Sequence, residues 1–384
     1  MNIQIDGINN SNKGAQLMMI ATLNAIEKYC PEAKIRFNSP LVPDTFASFT
    51  KLQLREVQPY WFKRYVVDSH VGVYINRISN TLFAKVSNWK KTSRVDLLID
   101  IGGFQFGDQW NHTKKEILCR KDYQKRLREQ GAKIVFMPQA FGPFDKSESQ
   151  EMASVLNEYS DLLIARDDIS LGYLLKTGVN PSLVLNYPDF THSVSPVDPK
   201  IEDHYTDNVC LIPNSMMIRQ NIVDEDTYIR FFTVICKFIQ ENGKTPFLLN
   251  HEGVGDFTLC EKINERLNNE LFLYTDLNAV ETKWIISKSY MVLSSRFHGV
   301  ANALSSGVPC LATSWNHKYQ KIFESYGMNN NVLDCSNVED AIRKIDKYLV
   351  EDSNKSTCEN LLVYGKRIAM ANQEMWSKVL LSNK

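Results

Sequence analysis

The segment Ser294-Ser-Arg-Phe-His-Gly-Val-Ala-Asn-Ala-Leu-Ser-Ser-Gly-Val-Pro-Cys-Leu-Ala312 sets two cation-capable side chains, Arg296 and His298, between apolar runs. Tyr290 to Leu293 reads as a buried strand leading in. Gly299 to Ser305 reads as a small-residue helix, ended by Gly307 and Pro309, and Val308 to Ala312 as the next strand. The unpaired N–H groups of a helix start attract anions. Arg296 adds a planar fork suited to carboxylate or phosphate, and His298 adds a proton exchangeable near neutral pH. The combination suits an anionic ligand on which a proton is moved, with Arg296, His298 and Gly299 as its contacts. The plainer alternative is an Arg on a structural carboxylate and a satisfied core His. The coincidence of strand end, helix start, Arg and His favours function.

Other strand ends carry related chemistry. Leu97 to Ile101 runs into the pair Gly102-Gly103, which lets a backbone approach a ligand or simply makes a tight turn. The spacing is not GxGxxG, so no dinucleotide fingerprint is present. The polar loop Asn9 to Gly14 contains Asn12 and Lys13. It could hold a sugar or phosphate, or Asn12 could merely cap the next helix; it is not a P-loop. Gln139, in Met137 to Pro143, is a candidate hydroxyl contact. Arg166, Asp189 and Arg219 each follow a strand, although an Arg–Asp pair alone is most often an ordinary ion pair. Asn250-His251-Glu252 also ends a strand, without the HExxH spacing of a zinc site.

The elements that must position these residues alternate. Strands fit Ile3 to Asp6, Ala33 to Phe37, Val95 to Ile101, Lys133 to Pro138, Leu162 to Ala165 and Leu183 to Leu185, with helices at Ala15 to Tyr29, Lys114 to Glu129, Ser147 to Tyr159 and Ser170 to Thr177. After a polar, proline-containing stretch at 192–207 the alternation restarts. Strands then fit Asn208 to Ile212, Thr245 to Leu249, Leu271 to Tyr274, Tyr290 to Leu293 and Val308 to Ala312, and two helices close the chain. The expected class is α/β: two doubly wound, Rossmann-like domains facing a cleft, 1–200 and 201–384, with the closing helices returning to the first. One segment breaks the pattern. Residues 58–92 hold Tyr60, Trp61, Phe62, Tyr65, Tyr74, Phe83 and Trp89, and Lys63, Arg64, Arg77, Lys85, Lys90 and Lys91 against the single acid Asp68. Such a stretch suits a membrane surface or a helix pair with solvated cations.

Composition narrows the classes. The 384 residues balance 44 basic against 44 acidic side chains, which argues against nucleic-acid binding. Eight cysteines are scattered without a CxxC, so reduced core thiols in a cytoplasmic protein are expected. The Asn9, Asn111 and Asn354 sequons are then chance matches. The N-terminus lacks the pattern of a signal peptide, and no apolar run is long enough to span a membrane.

These motifs resemble the polysaccharide pyruvyl transferase family over about residues 6–330. The resemblance rests on the Asn-rich loop with Lys13-Gly14, Asp100-Ile-Gly-Gly103, Pro138-Gln-Ala-Phe-Gly-Pro143, Ala165-Arg-Asp167, Pro188-Asp-Phe190 and, above all, Ser295 to Pro309. Phe297 stands where the family usually has an aliphatic residue, and Phe104 where a third glycine is usual. The resemblance implies a GT-B-like fold, phosphoenolpyruvate as donor, a sugar hydroxyl pair as acceptor and a pyruvate ketal on a capsular or other exopolysaccharide as product. By it, Arg296 and His298 are active-site residues, and neither metal nor cofactor is required. Donor contacts are then expected from Arg296, His298, Gly299, Arg166 and Arg219, and acceptor contacts from Asn12, Lys13, Gly102, Gly103 and Gln139. Asp189 and Asp100 are the candidate bases. A lipid-linked acceptor would bring 58–92 to the inner face of the membrane. Two other readings fit the same residues: a GT-B glycosyltransferase or sugar-nucleotide epimerase, and a glycan-binding protein without catalysis.

Overall fold

The structure is a computed structural model, and it describes residues 1–8, 12–37, 94–314 and 318–381. The basic aromatic stretch at 58–92 and residues 9–11 of the Asn-rich loop lie outside the described residues. The chain forms two compact units. One comprises Met1–Asn10, Met18–Tyr187 and Met375–Lys384; the other comprises Ser11–Leu17 and Pro188–Glu374.

The first unit carries β1 (Asn2–Asp6), most of α1 (Lys13–Tyr29), β2 (Lys34–Phe37), β3 (Leu97–Asp100), β4 (Phe104–Phe106), α2 (Lys114–Glu129), β5 (Lys133–Phe141), α3 (Ser147–Tyr159), β6 (Leu162–Ala165), α4 (Asp168–Lys176) and β7 (Val184–Asn186). Its strands order as β2-β1-β3-β5-β6-β7, all parallel, with β4 added to the far end of β5. Residues 97–99 of β3 and 163–165 of β6 are apolar and buried on both faces, as a sheet covered by helices requires. Strand β5 runs past Pro138, where an end was expected. A register shift between Phe136 and Gln139 accommodates the proline, and β4 pairs the extension.

The second unit holds β8 (Val209–Ile212), α5 (Met216–Arg219), α6 (Glu225–Glu241), β9 (Pro246–Leu249), α7 (Gly253–Glu265), β10 (Leu273–Tyr274), α8 (Ala279–Lys288), β11 (Met291–Ser294), α9 (Phe297–Ser305), β12 (Cys310–Thr313), α10 (Lys318–Ser325), β13 (Val332–Leu333), α11 (Val338–Leu349) and the greater part of α12 (Glu351–Leu381). Its order β10-β9-β8-β11-β12-β13 reads 3-2-1-4-5-6 in chain sequence, all parallel. The order reverses between β8 and β11, so the loops after them form the place where doubly wound sheets bind ligands.

The change of unit at Tyr187–Pro188 differs from the expected division at 200/201, and the polar stretch 192–207 lies wholly in the second unit. The reason is local. Phe190 is fully buried, and Lys283 of α8 donates to the carbonyls of Thr191 (3.1 Å) and His192 (3.3 Å), which ties this turn to the second core. The end of α12 belongs to the first unit, where Lys378 donates to the Tyr187 hydroxyl at 2.8 Å. All eight cysteines are free thiols, six of them buried. Among the described residues, no helix is long and apolar enough to cross a membrane.

Candidate active site

The site is built at the carboxyl edge of the second sheet. Strand β11 ends in Ser294, whose hydroxyl accepts from the Arg296 amide (3.0 Å) and donates to the Arg296 carbonyl (2.9 Å). This local turn sets Arg296 as the N-cap, so α9 starts at Phe297, two residues earlier than expected at Gly299. Gly299 is needed for packing. A Cβ there would overlap the Ser294 hydroxyl and sit 3.0 Å from Ile212 Cδ1, so glycine lets the helix lie directly on β8 and β11.

Arg296 is bound by carboxylates. Its Nε and one terminal nitrogen form a fork to Asp256, each at 2.7 Å, and its other terminal nitrogen pairs with Glu252. Asp256 is fully buried in the first turn of α7 and also accepts from the Ser215 amide (2.9 Å) and hydroxyl (3.1 Å). The side chain of Glu252 is 22% exposed. The two ties therefore differ: the buried fork to Asp256 is fixed, whereas the Glu252 contact borders solvent and can exchange. Burial acts against the Arg296 charge, and Asp256 and Glu252 together overcome it and hold its pKa above the ordinary value.

The start of α1 meets His298. Asn12 caps the helix, its Oδ1 accepting from the Ala15 amide at 3.0 Å, while its Nδ2 donates to Glu252 at 3.0 Å. Lys13 donates to the Asn250 carbonyl at 2.7 Å. Burial pushes its pKa down to about 8 against the pull of Asp256, Asp276, Glu252 and Glu281. A Cβ on Gly14 would overlap the His298 ring at Nδ1. On its other side, His298 Nε2 stands 3.8 Å from Asp189 Oδ2. The second Asp189 oxygen accepts from the Thr191 amide (2.9 Å) and hydroxyl (2.5 Å). Behind Asp189 lies Lys283, 2% exposed, its pKa lowered by burial to about 8 and pulled back by Asp189.

The structure thus brings Asn12, Lys13, Asp189, Arg296, His298 and Gly299 together within one unit. Arg219 is in the same unit, exposed, with its guanidinium beside Gly255 at the head of α7. Gly102, Gly103, Gln139, Arg166 and Asp100 belong to the first unit. There Gly7, at φ 79°, packs on Gly102, where the loops after β1 and β3 meet. Asp100 accepts from the Gly102 amide (2.9 Å) and the Gln105 side chain (2.5 Å), and lies 3.6 Å from Arg120. It therefore serves the turn. Gln139 is fully buried, with neither amide atom partnered among the described residues. Arg166 is 9% exposed and lies near Gly103, while its neighbour Asp167 caps α4 through the Ser170 amide (2.7 Å). Sequence reasoning missed Asp256 and Lys283. Nothing in their spacing links them to Arg296 or Asp189, and only the strand order brings them there. Among the described residues, no cluster of three His, Cys, Asp or Glu side chains could hold a metal.

The family model for polysaccharide pyruvyl transferases matches residues 12–317, from the cap of α1 to beyond the Arg296–His298 motif. The chain belongs to the polysaccharide pyruvyl transferase family. It is also similar to the amylovoran biosynthesis protein AmsJ of Erwinia amylovora, 18% identical over 277 residues, which cover 65% of this chain and 64% of that protein. This chain thus spans just under two thirds of that relative's length.

Among solved structures it resembles MnaA of S. aureus in complex with UDP (TM-score 0.60, 15% identity, 96% of this chain and 94% of that one). It also resembles Anabaena Alr3699/HepE with UDP and glucose (TM-score 0.59, 13% identity, the whole of both chains). A third is the UDP-GlcNAc 2-epimerase of Methanocaldococcus jannaschii (TM-score 0.60, 11% identity, 91% and 93%). At these identities the likeness concerns the fold. Together with the two parallel sheets, it makes this a GT-B-type α/β protein.

Proposed function

We propose that this protein transfers the pyruvyl group of phosphoenolpyruvate to a pair of sugar hydroxyls, forming a pyruvate ketal during exopolysaccharide assembly. The observation that carries the reading is the convergence of two helix starts, α1 and α9, on His298, with the half-buried Lys13 cation beside them and Asp189 facing the ring. Helix starts and a half-buried ammonium suit an anion, and a carboxylate-backed imidazole suits proton transfer.

Each step balances. Protonated His298 gives its proton to C3 of the enol, which leaves C2 electron-deficient and oxocarbenium-like. A sugar hydroxyl adds to C2, and its proton passes to the His298–Asp189 pair. The C2–O bond to phosphate breaks, and the neighbouring hydroxyl adds to C2 to close the ketal, its proton going to the departing phosphate. Asp189 stabilises the imidazolium and is the proton acceptor nearest to it. Lys13 and the exchangeable edge of Arg296 hold the donor's anionic groups as charge moves to phosphate. In this reading Gly102, Gly103 and Gln139 keep the acceptor role expected of them, and Arg166 and Arg219 the donor role. A lipid-linked sugar is an acceptor of the right kind for a basic aromatic segment such as 58–92.

The test is incubation with phosphoenolpyruvate and a panel of lipid-linked, nucleotide-linked and polymeric glycans, reading phosphate release and the mass of the glycan. Phosphate released in step with a pyruvyl mass increase, and lost in His298→Gln, supports the proposal. Binding of UDP-sugars with no response to phosphoenolpyruvate under any acceptor overturns it.

A further inference from the structure

His251 follows β9 in the turn Asn250-His251-Glu252, and the reaction outlined above does not use it. Its flanking residues are both committed to the site: the Asn250 carbonyl accepts from Lys13, and Glu252 accepts from Asn12 and Arg296. The His251 ring itself is 2% exposed, and neither Nδ1 nor Nε2 has a hydrogen-bond partner among the described residues. Buried polar side chains are normally satisfied. A neutral imidazole offers one N–H and one lone pair, so a ring with both ends unused at the edge of an anion site is a binding element in reserve.

The surroundings decide which ligand atom it suits. Burial first, then the nearby positive groups Lys13, Arg296 and His298, hold its pKa well below the ordinary value, so the ring stays neutral at working pH. A neutral donor among cations matches an anionic oxygen. A phosphoryl group presents three such oxygens, each able to accept more than one hydrogen bond, so it has room for a neutral donor beside Lys13 and the helix starts.

We propose that His251 is a substrate-contacting residue of this site, donating its neutral N–H to a non-bridging phosphoryl oxygen. The role rests on the phosphoenolpyruvate reading and adds to it a donor that stays uncharged while His298 moves the proton. On departure, the phosphate gains charge against a ring whose N–H donates a hydrogen bond but is far too weakly acidic to be given up.

The test is calorimetric titration of phosphoenolpyruvate, inorganic phosphate and pyruvate into the full-length protein and into His251→Leu, His251→Asn and His251→Gln. The expected result is a loss of about tenfold or more in affinity for phosphoenolpyruvate and phosphate in the Leu variant, the worth of one charge-assisted hydrogen bond. Pyruvate binding should be unchanged, and whichever amide variant places its N–H at the right nitrogen should restore phosphate affinity to within a few-fold. Imidazole NMR shifts of His251 on phosphate titration of the wild type supply a readout that does not depend on a variant folding. Wild-type binding with an unaltered Leu variant, or an unmoved His251 signal at saturating phosphate, overturns the role of His251 and leaves the phosphoenolpyruvate reading standing. Failure of the wild type to bind either phosphate compound with acceptor present overturns that reading, and this role with it.

Discussion

At the scale of single residues, the site turns on which contacts are fixed and which exchange. Glu252 occupies the edge of Arg296 and of Asn12 that an incoming carboxylate or phosphate would use. Its negative charge competes with the donor, so Glu252→Gln should tighten phosphoenolpyruvate binding by roughly three- to tenfold, the worth of removing one partly screened like charge. Calorimetric titration reads this directly, and weaker binding in the variant would show that Glu252 organises the site instead. Lys13 sets a pH limit. Its pKa of about 8 leaves it charged below that value and neutral above. The kcat/KM for phosphoenolpyruvate should therefore fall as pH rises through about 8, a limb that Lys13→Met should lack at a lower overall level. Gly14 is a negative of the His298 ring: Gly14→Ala must displace the imidazole. A loss of roughly a hundredfold or more in kcat is expected, the scale of one general acid, with the thermal midpoint little changed. Wild-type turnover in Gly14→Ala would mean that His298 does not act from this position.

Between elements, the legibility of the sequence has a physical boundary. Alternating apolar runs and turn residues reveal the strands and helices, because burial on both sheet faces and the helical period leave local marks. Arg296-Phe-His298 is legible because strand end, helix start and charged residues fall within a few positions. Asp256 is not, because its partner lies 40 residues away and only the adjacency of β8, β9 and β11 joins them. The same separation hides the place of Asn12 and Lys13: they follow β1 in the chain, yet the head of α1 belongs with the second unit. Asp256 also makes an element-scale prediction. It joins the turn at Ser215, the head of α7 and the N-cap of α9. Asp256→Ala leaves a buried guanidinium without its fork, so a destabilisation of about 3–5 kcal/mol is expected by urea unfolding. A cost below about 1 kcal/mol would show that Glu252 alone can satisfy Arg296.

For the whole molecule, the site has a cost that can be read in stability against pH. Lys283 is buried and His192 half-buried beside it, and loss of solvent lowers both bases, to about 8 and about 4. A base whose folded pKa lies below its unfolded value binds fewer protons folded than unfolded between the two. Stability therefore rises with pH across that window and falls as pH drops back through it. For Lys283 the window runs from about 8 up to the ordinary lysine value of 10.5, so at neutral pH the fold carries its charged form at a disadvantage. For His192 the window runs from about 4 up to 6.5, so at neutral pH the ring is already neutral and its stability is lost only on acidification. Retaining a costly buried ammonium beside the Asp189 that faces His298 is what a site selected for charge placement would do, and a core selected for stability alone would not. Urea unfolding of wild type and Lys283→Met at pH 7, 8, 9 and 10 separates the two. The wild-type slope should exceed that of the variant by up to about 1.4 kcal/mol per pH unit between 8 and 10, one proton's worth, while the two run parallel below 7. The hydrogen bonds that Lys283 gives to Thr191 and His192 shift the variant's whole curve without changing its slope, so parallel curves above pH 8 would mean that Lys283 is not depressed. The same variant should also lower kcat more than donor affinity, since Lys283 acts on the chemistry through Asp189, by its charge and by the Thr191 turn that holds Asp189 against His298.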